Sequence, residues 1–217
     1  MVKLSEEEKS RISELAEHVE AGTGVQVLAV VAGKSDTYRE IPWKAFSMGT
    51  SLAAFAFCFI VTIPTNMVLP TGSWTTVILG TGLVSALATI FSRRAARLFL
   101  GDDHAGAATK VFALKTFHDR GLGRTRARNA ILVLASQFER RGALVADTGI
   151  LELIPQKDLD GISTLLDAAL KQKSAAAALA VGLSALDELL RSRGFNAPPA
   201  SGDEIKEEFL ETEGPKP

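Results

Sequence analysis

The sequence contains one cysteine, three histidines and almost no net charge. A single cysteine, Cys58, excludes a disulfide within the chain and any metal knuckle built from several cysteines. The 24 Lys and Arg residues are balanced by 25 Asp and Glu residues, which excludes a general attraction to nucleic acid. Charge is also distributed unevenly, because residues 45–92 contain no Asp, Glu, Lys, Arg or His. The apolar residues are therefore concentrated in one stretch.

The uncharged stretch predicts two membrane-spanning helices. Crossing the hydrocarbon core takes about 20 apolar residues in a helix, and two prolines divide the stretch into segments of suitable length, 45–63 and 73–92. Trp43 and Trp74 stand near the start of each segment, where an indole ring can lie among lipid headgroups. The alternative is a helical hairpin buried in a soluble core, but the rest of the chain is too small to cover one.

Basic residues lie before the first segment and after the second, but not between the two segments. They are Lys34, Arg39 and Lys44 before the first segment, and Arg93, Arg94 and Arg97 after the second. Since cytoplasmic flanks are enriched in Lys and Arg, we expect residues 64–72, which connect the two segments, to face outward and both termini to lie in the cytoplasm. The N-terminal residues contain three consecutive glutamates and no apolar core, so no secretory signal is expected.

The residues on both sides of the hairpin, 1–44 and 93–195, predict one discontinuous α/β domain. Ser5 and Glu8 form a capping box that begins a helix, and the β-branched run Val25–Val31 is typical of a buried strand. Further along, the pattern predicts a helix that begins at Asp102 or Asp103, strands at 131–135 and 143–146, and helices at 155–172 and 174–193.

The connections between the predicted strands indicate a mixed sheet. The link between the second and third strands is short, which favours an antiparallel hairpin. The segment between the first and second strands is long enough for a parallel crossover. The predicted fold class is therefore α/β, with a small mixed β-sheet packed with helices and interrupted by an inserted two-helix transmembrane hairpin. Residues 196–217 contain four prolines and six acidic residues, which predicts a disordered tail.

Residues 107–150 carry motifs of a known family. In order, these are Leu122-Gly123, Arg124-Thr125 and Arg128-Asn129 ahead of a strand, the Glu139-Arg140-Arg141 hairpin, and the strand end Ala146-Asp147-Thr148-Gly149-Ile150. This order resembles the membrane-bound bacterial branch of the TPM domain family, which includes a thylakoid acid phosphatase-like protein and a photosystem II repair factor. The resemblance implies a TPM-like fold, a bacterial inner-membrane location and, for parts of the family, phosphatase activity and calcium binding.

Two aspartates are candidate metal ligands. Asp36 follows the first predicted strand and Asp147 ends the third, and carboxylates at strand ends can hold Ca²⁺ or Mg²⁺. If those strands run in opposite directions, however, the two aspartates lie at opposite ends of the sheet. Each then caps a turn, and no cofactor is required.

Five arginines are candidates for binding a phosphate or a lipid headgroup: Arg124, Arg126, Arg128, Arg140 and Arg141. Guanidinium groups bind phosphate in a bidentate manner, and basic residues near a membrane attract anionic lipids. The structural alternative is a network in which Arg128 and Arg140 pair with nearby carboxylates.

No known catalytic motif accompanies these residues. The sequence has no P-loop, HExxH motif or nucleophile elbow, and neither predicted span contains an ionisable residue that would indicate transport. We interpret the protein as a non-catalytic interaction module that assists the assembly, stability or turnover of a membrane protein complex. The alternative is a membrane-anchored, divalent-metal-dependent phosphatase acting on phosphomonoesters. The expected partners are the lipid bilayer and another membrane protein or a second copy of the chain, with no nucleic acid.

Overall fold

A computed structural model describes residues 3–62, 71–196 and 208–215. The helices are α1 (Glu6–Thr23), α2 (Ile41–Thr62), α3 (Thr71–Phe91), α4 (Arg93–Leu98), α5 (Asp102–Asp119), α6 (Thr148–Leu151), α7 (Gln156–Gln172) and α8 (Ala175–Ser192). The strands are β1 (Gln26–Ala32), β2 (Ala130–Ser136), β3 (Arg141–Ala146) and β4 (Phe209–Thr212). Contacts divide the chain into an α/β unit, formed by the described residues of Met1–Asp36 and Asp102–Lys216, and a hairpin unit, Thr37–Gly101.

The α/β unit is built on a four-stranded mixed sheet in the order β3-β2-β1-β4. β1 runs parallel to β2, with Val27 opposite Ile131, and β2 runs antiparallel to β3. The predicted crossover and the predicted hairpin are therefore both confirmed. β1 and β2 are buried along their whole length, which explains why their sequences are continuously apolar rather than alternating.

Helices cover both faces of this sheet. Val27, Ala29 and Val31 of β1 lie in a core with residues of α1, α7 and α8, whereas Leu28 and Val30 lie in a second core with residues of α5. The first face thus has three covering helices and the second has α5. The Ala-rich helix α8 packs on the sheet.

The prediction of a disordered tail is wrong for the residues that form β4. Phe209–Thr212 pairs parallel to Ala29–Ala32 of β1 at the edge of the sheet. The Glu211 carboxylate accepts a hydrogen bond from the Leu4 backbone N–H at 3.2 Å and lies 3.4 Å from Lys9 Nζ. These contacts join the end of the chain to its beginning. Of the remaining tail, residues 197–207 and 216–217 lie outside the described part.

The hairpin unit contains two long antiparallel helices that approach each other through glycines. A Cβ atom on Gly49 of α2 would meet Ser85 Oγ at 2.5 Å, and one on Gly82 of α3 would meet the Phe46 ring at 3.0 Å. Small residues at such positions allow two backbones to pack closely. Where α2 ends and α3 begins, the Phe57 and Trp74 rings lie 4.7 Å apart.

Both hairpin helices are long and apolar enough to cross a membrane, at Ile41–Thr62 and Gly72–Phe91. Only 11% of the most apolar part of each helix is buried within the structure, so these helices differ from the core helices of a soluble protein. Hydroxyl groups along them bond to their own helix: Thr81 Oγ1 donates to the Val77 carbonyl and Ser85 Oγ to the Thr81 carbonyl, both at 2.8 Å. Internal bonds of this kind lower the cost of placing a hydroxyl in hydrocarbon.

Along the chain, contacts divide the two units after Asp36 and after Gly101, whereas the boundaries predicted from the sequence lie at residues 44 and 92. α2 begins at Ile41, inside the region expected to be soluble, and α4 extends the hairpin unit beyond residue 92. The loss of charge marks the limits of the apolar segment, but a helix continues past those limits wherever its backbone hydrogen bonds can continue.

Candidate functional site

The carboxyl ends of β1 and β2 carry a buried polar network. Glu139, in the turn between β2 and β3, accepts a hydrogen bond from the Ser35 backbone N–H at 2.6 Å and another from Ser136 Oγ. Ser35 Oγ also lies 3.1 Å from Ser136 Oγ. Because a buried carboxylate is costly without such donors, the three residues form a satisfied structural network that ties β1 to the turn. We call the end of the sheet at which β1 and β2 finish the carboxyl end.

Charged side chains surround this network at the surface. Arg141 donates to Asp167 of α7 at 2.6 Å and to Asp102 of α5 at 2.9 Å. The hydrogen bond to Asp167 is the main cause that raises the pKa of Arg141 above its ordinary value. Arg141 therefore joins helices on opposite faces of the sheet. Asp36 lies 3.5 Å from His104 Nε2 across the same edge.

The opposite end of the sheet is formed by the loop between α5 and β2. We call residues 120–129 the arginine loop, since Arg120, Arg124, Arg126 and Arg128 are all exposed there. The Asn129 side-chain amide donates to the Gly24 carbonyl at 2.6 Å, which anchors the loop to the end of α1. The loop is thus held at both the sheet and the helix layer.

The arginine loop touches the start of α6 at Gly149. The Gly149 N–H donates to the Arg128 carbonyl at 2.9 Å, and a Cβ atom on Gly149 would lie 2.6 Å from that oxygen. Only glycine fits so close an approach of backbone to backbone. Arg128 has a φ of +51°, which is unusual for a residue other than glycine. The Asp-x-Gly sequence is therefore explained by this contact.

Asp147 caps α6 with one carboxylate oxygen, while its other oxygen has no hydrogen-bond partner among the described residues. Its Oδ1 accepts from the Thr148 N–H at 2.7 Å and lies 4.0 Å from the Arg128 guanidinium. Its Oδ2 and Thr125 Oγ1 are both buried without a hydrogen-bond partner among the described residues. Gly123 of the loop faces Oδ2, as a Cβ there would lie 4.0 Å away. Buried polar atoms of this kind are commonly satisfied by ordered water.

The structure separates the five candidate arginines into two groups. Arg124, Arg126 and Arg128 lie in the arginine loop, whereas Arg140 and Arg141 lie at the carboxyl end, beyond the full length of β2. Six residue steps along a strand span about 20 Å, so one small anion does not contact both groups. Of the second group, Arg141 is engaged in ion pairs, and Arg140 is exposed with a φ of +54°.

The two candidate metal ligands are separated in the same way. Asp36 follows β1 at the carboxyl end, and Asp147 follows β3, which runs in the opposite direction to β2 and hence to β1. The sequence left this arrangement open, because strands that run in opposite directions place the two aspartates at opposite ends of the sheet. Asp147 has a capping role, and Asp36 pairs with His104.

The calcium site implied by the family resemblance does not fit the residues at Asp147. Calcium takes six to eight oxygen ligands, whereas among the described residues no group of three His, Cys, Asp or Glu side chains lies close enough to hold a metal. The Arg128 guanidinium also already places a positive charge near the Asp147 carboxylate. The chemistry of this donor set suits a cationic side chain or a water.

A groove that the sequence did not predict lies between α5 and β4. Its volume is about 470 Å³. Phe112, Val111 and Leu210 supply apolar walls, while Lys115 and Asp119 bring charge to the rim. The volume falls in the range of sites for small ligands. The groove was missed because one wall consists of β4, which the sequence assigned to a disordered tail.

Together, a mixed sheet with a crossover through α5 and a capped Asp-x-Gly turn define a small α/β domain of recognisable type. The family model described as the TPM domain matches residues 96–189. This range contains α5, β2, β3, the arginine loop and most of the helices that follow. The resemblance to the TPM domain family inferred from the sequence is therefore confirmed over residues 96–189.

A solved structure supports the same fold. The NMR structure of BA42 protein from the psychrophilic bacterium Bizionia argentinensis aligns with 98% of this chain and 99% of its own, with a TM-score of 0.53. The two sequences are 12% identical, so the similarity is one of fold alone. Among curated proteins, none matches the chain at a significant level.

Proposed function

We propose that the protein is an integral membrane protein in which the hairpin unit anchors a TPM domain at the cytoplasmic face of a bacterial inner membrane. The exposure of the two apolar helices carries this proposal. Leu83 and Phe55 are 55% and 74% exposed, and apolar surface on this scale is stable only when lipid or another protein covers it. Because both helices are continuous and of membrane-spanning length, lipid is the covering that we propose.

The positions of the tryptophans support the same placement. Trp43 lies near the start of α2 and Trp74 near the start of α3, so the antiparallel pair presents one indole at each end. Tryptophan is enriched at both membrane interfaces. The basic flanks of both helices support a cytoplasmic position for the TPM domain, following the preference of Lys and Arg for that side.

Two measurements test the anchor and its orientation. We expect the native protein to remain in the membrane fraction through carbonate and high-salt washes and to be released by detergent. In a Cys58→Ser background, Asn66→Cys should label from outside intact cells, whereas Lys157→Cys on α7 should label only after lysis. Release by carbonate alone would contradict the anchor. The reverse labelling pattern would contradict the orientation.

We further propose that the TPM domain acts by binding and assists the assembly, stability or turnover of a membrane protein complex. The use of its polar residues supports this role. Glu139 and Arg141 each hold two or more elements of the fold together, and Asp147 caps α6, which leaves them poorly placed to turn over a substrate. Cross-linking in native membranes, followed by identification of the partner, tests the proposal. A specific partner should be another membrane protein or a second copy of the chain. The control is a membrane sample from which detergent has removed the partner, and the cross-link should be lost there.

One observation favours a phosphatase as the second candidate. Asp147 keeps a buried oxygen without a partner beside Arg128, and the pair could hold a phosphate and its attacking water. Hydrolysis of a phosphomonoester by the detergent-purified protein should be measured with Ca²⁺, with Mg²⁺ and with neither. Turnover that Asp147→Asn abolishes and Asp160→Asn leaves unchanged would favour the phosphatase over the binding module. Absence of turnover under all three conditions would contradict the phosphatase.

A further inference from the structure

All charged residues of the hairpin unit lie at one end. α2 and α3 are antiparallel, so the start of α2 and the end of α3 are neighbours. We call residues 37–44 and 91–101 the basal end. It contains five basic residues, Arg39, Lys44, Arg93, Arg94 and Arg97, and one acidic residue, Glu40. Glu40 lies 3.8 Å from Lys44, and α4 itself contains no acidic residue.

A break in the helix after the second span shapes this end. Ser92 has extended backbone angles, φ −122° and ψ 111°, and its Oγ accepts from the Ala95 N–H at 3.3 Å. Ser92 therefore ends the path of α3 and starts α4. A continuous helix would carry Arg93 and Arg94 straight onward, whereas the new helix begins with both of them exposed in its first turn, where no acidic side chain is present.

Large apolar side chains lie beside these arginines. Phe91 is 85% exposed, Leu98 is 83% exposed and Trp43, near the start of α2, is 72% exposed. An exposed surface that combines guanidinium groups with aromatic and aliphatic side chains fits a ligand that has both an anionic group and hydrocarbon. A soluble phosphate would pair with the arginines but leave the apolar side chains in water. A phospholipid satisfies both.

We propose that the basal end binds anionic phospholipid in preference to zwitterionic phospholipid, with Arg93 and Arg94 as the headgroup ligands and Phe91 and Leu98 against the acyl chains. This inference rests on the proposed membrane-spanning function. It assigns headgroup binding to α4 rather than to the arginine loop, where the sequence had placed the candidate residues. Electrostatic attraction of basic side chains to anionic lipid is strongest within a Debye length of the surface.

Tryptophan quenching in reconstituted vesicles tests this proposal with the full-length protein. Trp74→Phe leaves Trp43, at the basal end, as the only indole. The protein is reconstituted in phosphatidylcholine vesicles with a minority of phosphatidylglycerol, and either lipid carries brominated acyl chains. Brominated phosphatidylglycerol should quench Trp43 more strongly than the same fraction of brominated phosphatidylcholine. In the Arg93→Gln/Arg94→Gln variant, the relative association constant for phosphatidylglycerol should fall by about 10-fold or more.

A variant of equal charge separates the two groups of arginines. Arg124→Gln/Arg126→Gln removes two exposed arginines from the arginine loop and should leave the lipid preference unchanged. Loss of the preference in this variant but not in Arg93→Gln/Arg94→Gln would overturn the proposal. Equal quenching of Trp43 by both lipids would also overturn it, while leaving the membrane anchor intact. If neither brominated lipid quenches Trp43, the membrane-spanning function itself fails.

Discussion

Leu166 and Leu83 have the same side chain, but one is buried and the other is exposed. Leu166 of α7 is fully buried, against Gly142 of β3 and Gly182 of α8. Leu83 of α3 is 55% exposed although it lies in one of the most apolar segments of the chain. The α/β unit turns its apolar residues inward and presents charge to water, whereas the hairpin unit keeps small residues between its helices and large ones outside. The comparison shows that an apolar sequence alone does not define a core, because large apolar side chains face inward in one unit and outward in the other.

Truncating the two leucines should give the largest difference between the units. Leu166→Ala leaves a cavity in the core and should lower the free energy of unfolding by about 3 kcal/mol. Leu83→Ala removes little internal contact and should change stability by less than about 0.5 kcal/mol in detergent. Thermal unfolding of the purified protein in detergent measures both. Equal losses for the two variants would show that Leu83 belongs to a protein core after all.

Glycine substitutions within the α/β unit should give the next largest effect. Gly149→Ala would place a Cβ atom 2.6 Å from the Arg128 carbonyl oxygen and 2.8 Å from the Ala127 carbonyl oxygen. Since both neighbours are backbone, we expect a loss of about 2 kcal/mol. Gly161→Ala in α7 meets nothing within 4 Å and should stabilise its helix by up to about 1 kcal/mol. A Gly149→Ala protein as stable as the wild type would contradict the contact between the arginine loop and α6.

A similar pair of substitutions tests the packing of the hairpin unit. Gly82→Leu would drive a side chain into Phe46 and Thr50 of α2, whereas a Cβ atom at Gly80 would meet nothing within 4 Å. The first should force the helices apart at a cost of about 1–2 kcal/mol, and the second should be tolerated in lipid. Separation of the helices should change the fluorescence of Trp74, whose ring lies 4.7 Å from that of Phe57 on α2. A change caused by Gly80→Leu alone would place the helix contact on the other face of α3.

The smallest expected effect concerns the attachment of β4. Lys9 lies 2.9 Å from Glu6 and 3.4 Å from Glu211, and these carboxylates, Glu6 foremost, raise the pKa of Lys9 above its ordinary 10.5. The ion pairs are therefore fully present at neutral pH and are lost as the pH rises through the elevated value. Lys9→Gln should speed amide exchange in β4 by a small factor, and Lys3→Gln should not. Faster exchange in α8 as well would indicate a general loss of stability instead.

Local signals in the sequence account for much of the fold. The capping box at Ser5 forms as predicted, with Ser5 Oγ accepting from the Glu8 N–H and the Glu8 carboxylate accepting from the Ser5 N–H. The strands at β1 and β2 follow from continuous apolar runs, and the order of the connections gave their directions. β4 could not be predicted in this way. A four-residue strand in an acidic segment becomes stable only when the edge of β1 supplies its hydrogen bonds.

The candidate site was less accessible to sequence reasoning. Arg128 and Arg141 stand close together in the sequence, but their distance along the chain does not show that β2 separates them in space. The pairing of Arg141 with Asp102 joins residues that are 39 positions apart, and no periodicity reveals such a contact. The Asp147–Thr148–Gly149 sequence did mark a turn, and the close approach of Gly149 to Arg128 explains why glycine is needed there.

By itself, the sequence determined where the apolar segments lie, which segments are helices or buried strands, and the run of residues that resembles a TPM domain, because these depend on composition and on short-range periodicity. The tertiary structure decided that the end of the chain completes the sheet, that the arginines divide between two ends of it, and that Asp147 meets Arg128 rather than Asp36. Those outcomes depend on which strand edges and helix ends are brought together by the packing of the whole chain, and the energy of such contacts is not carried by any one segment.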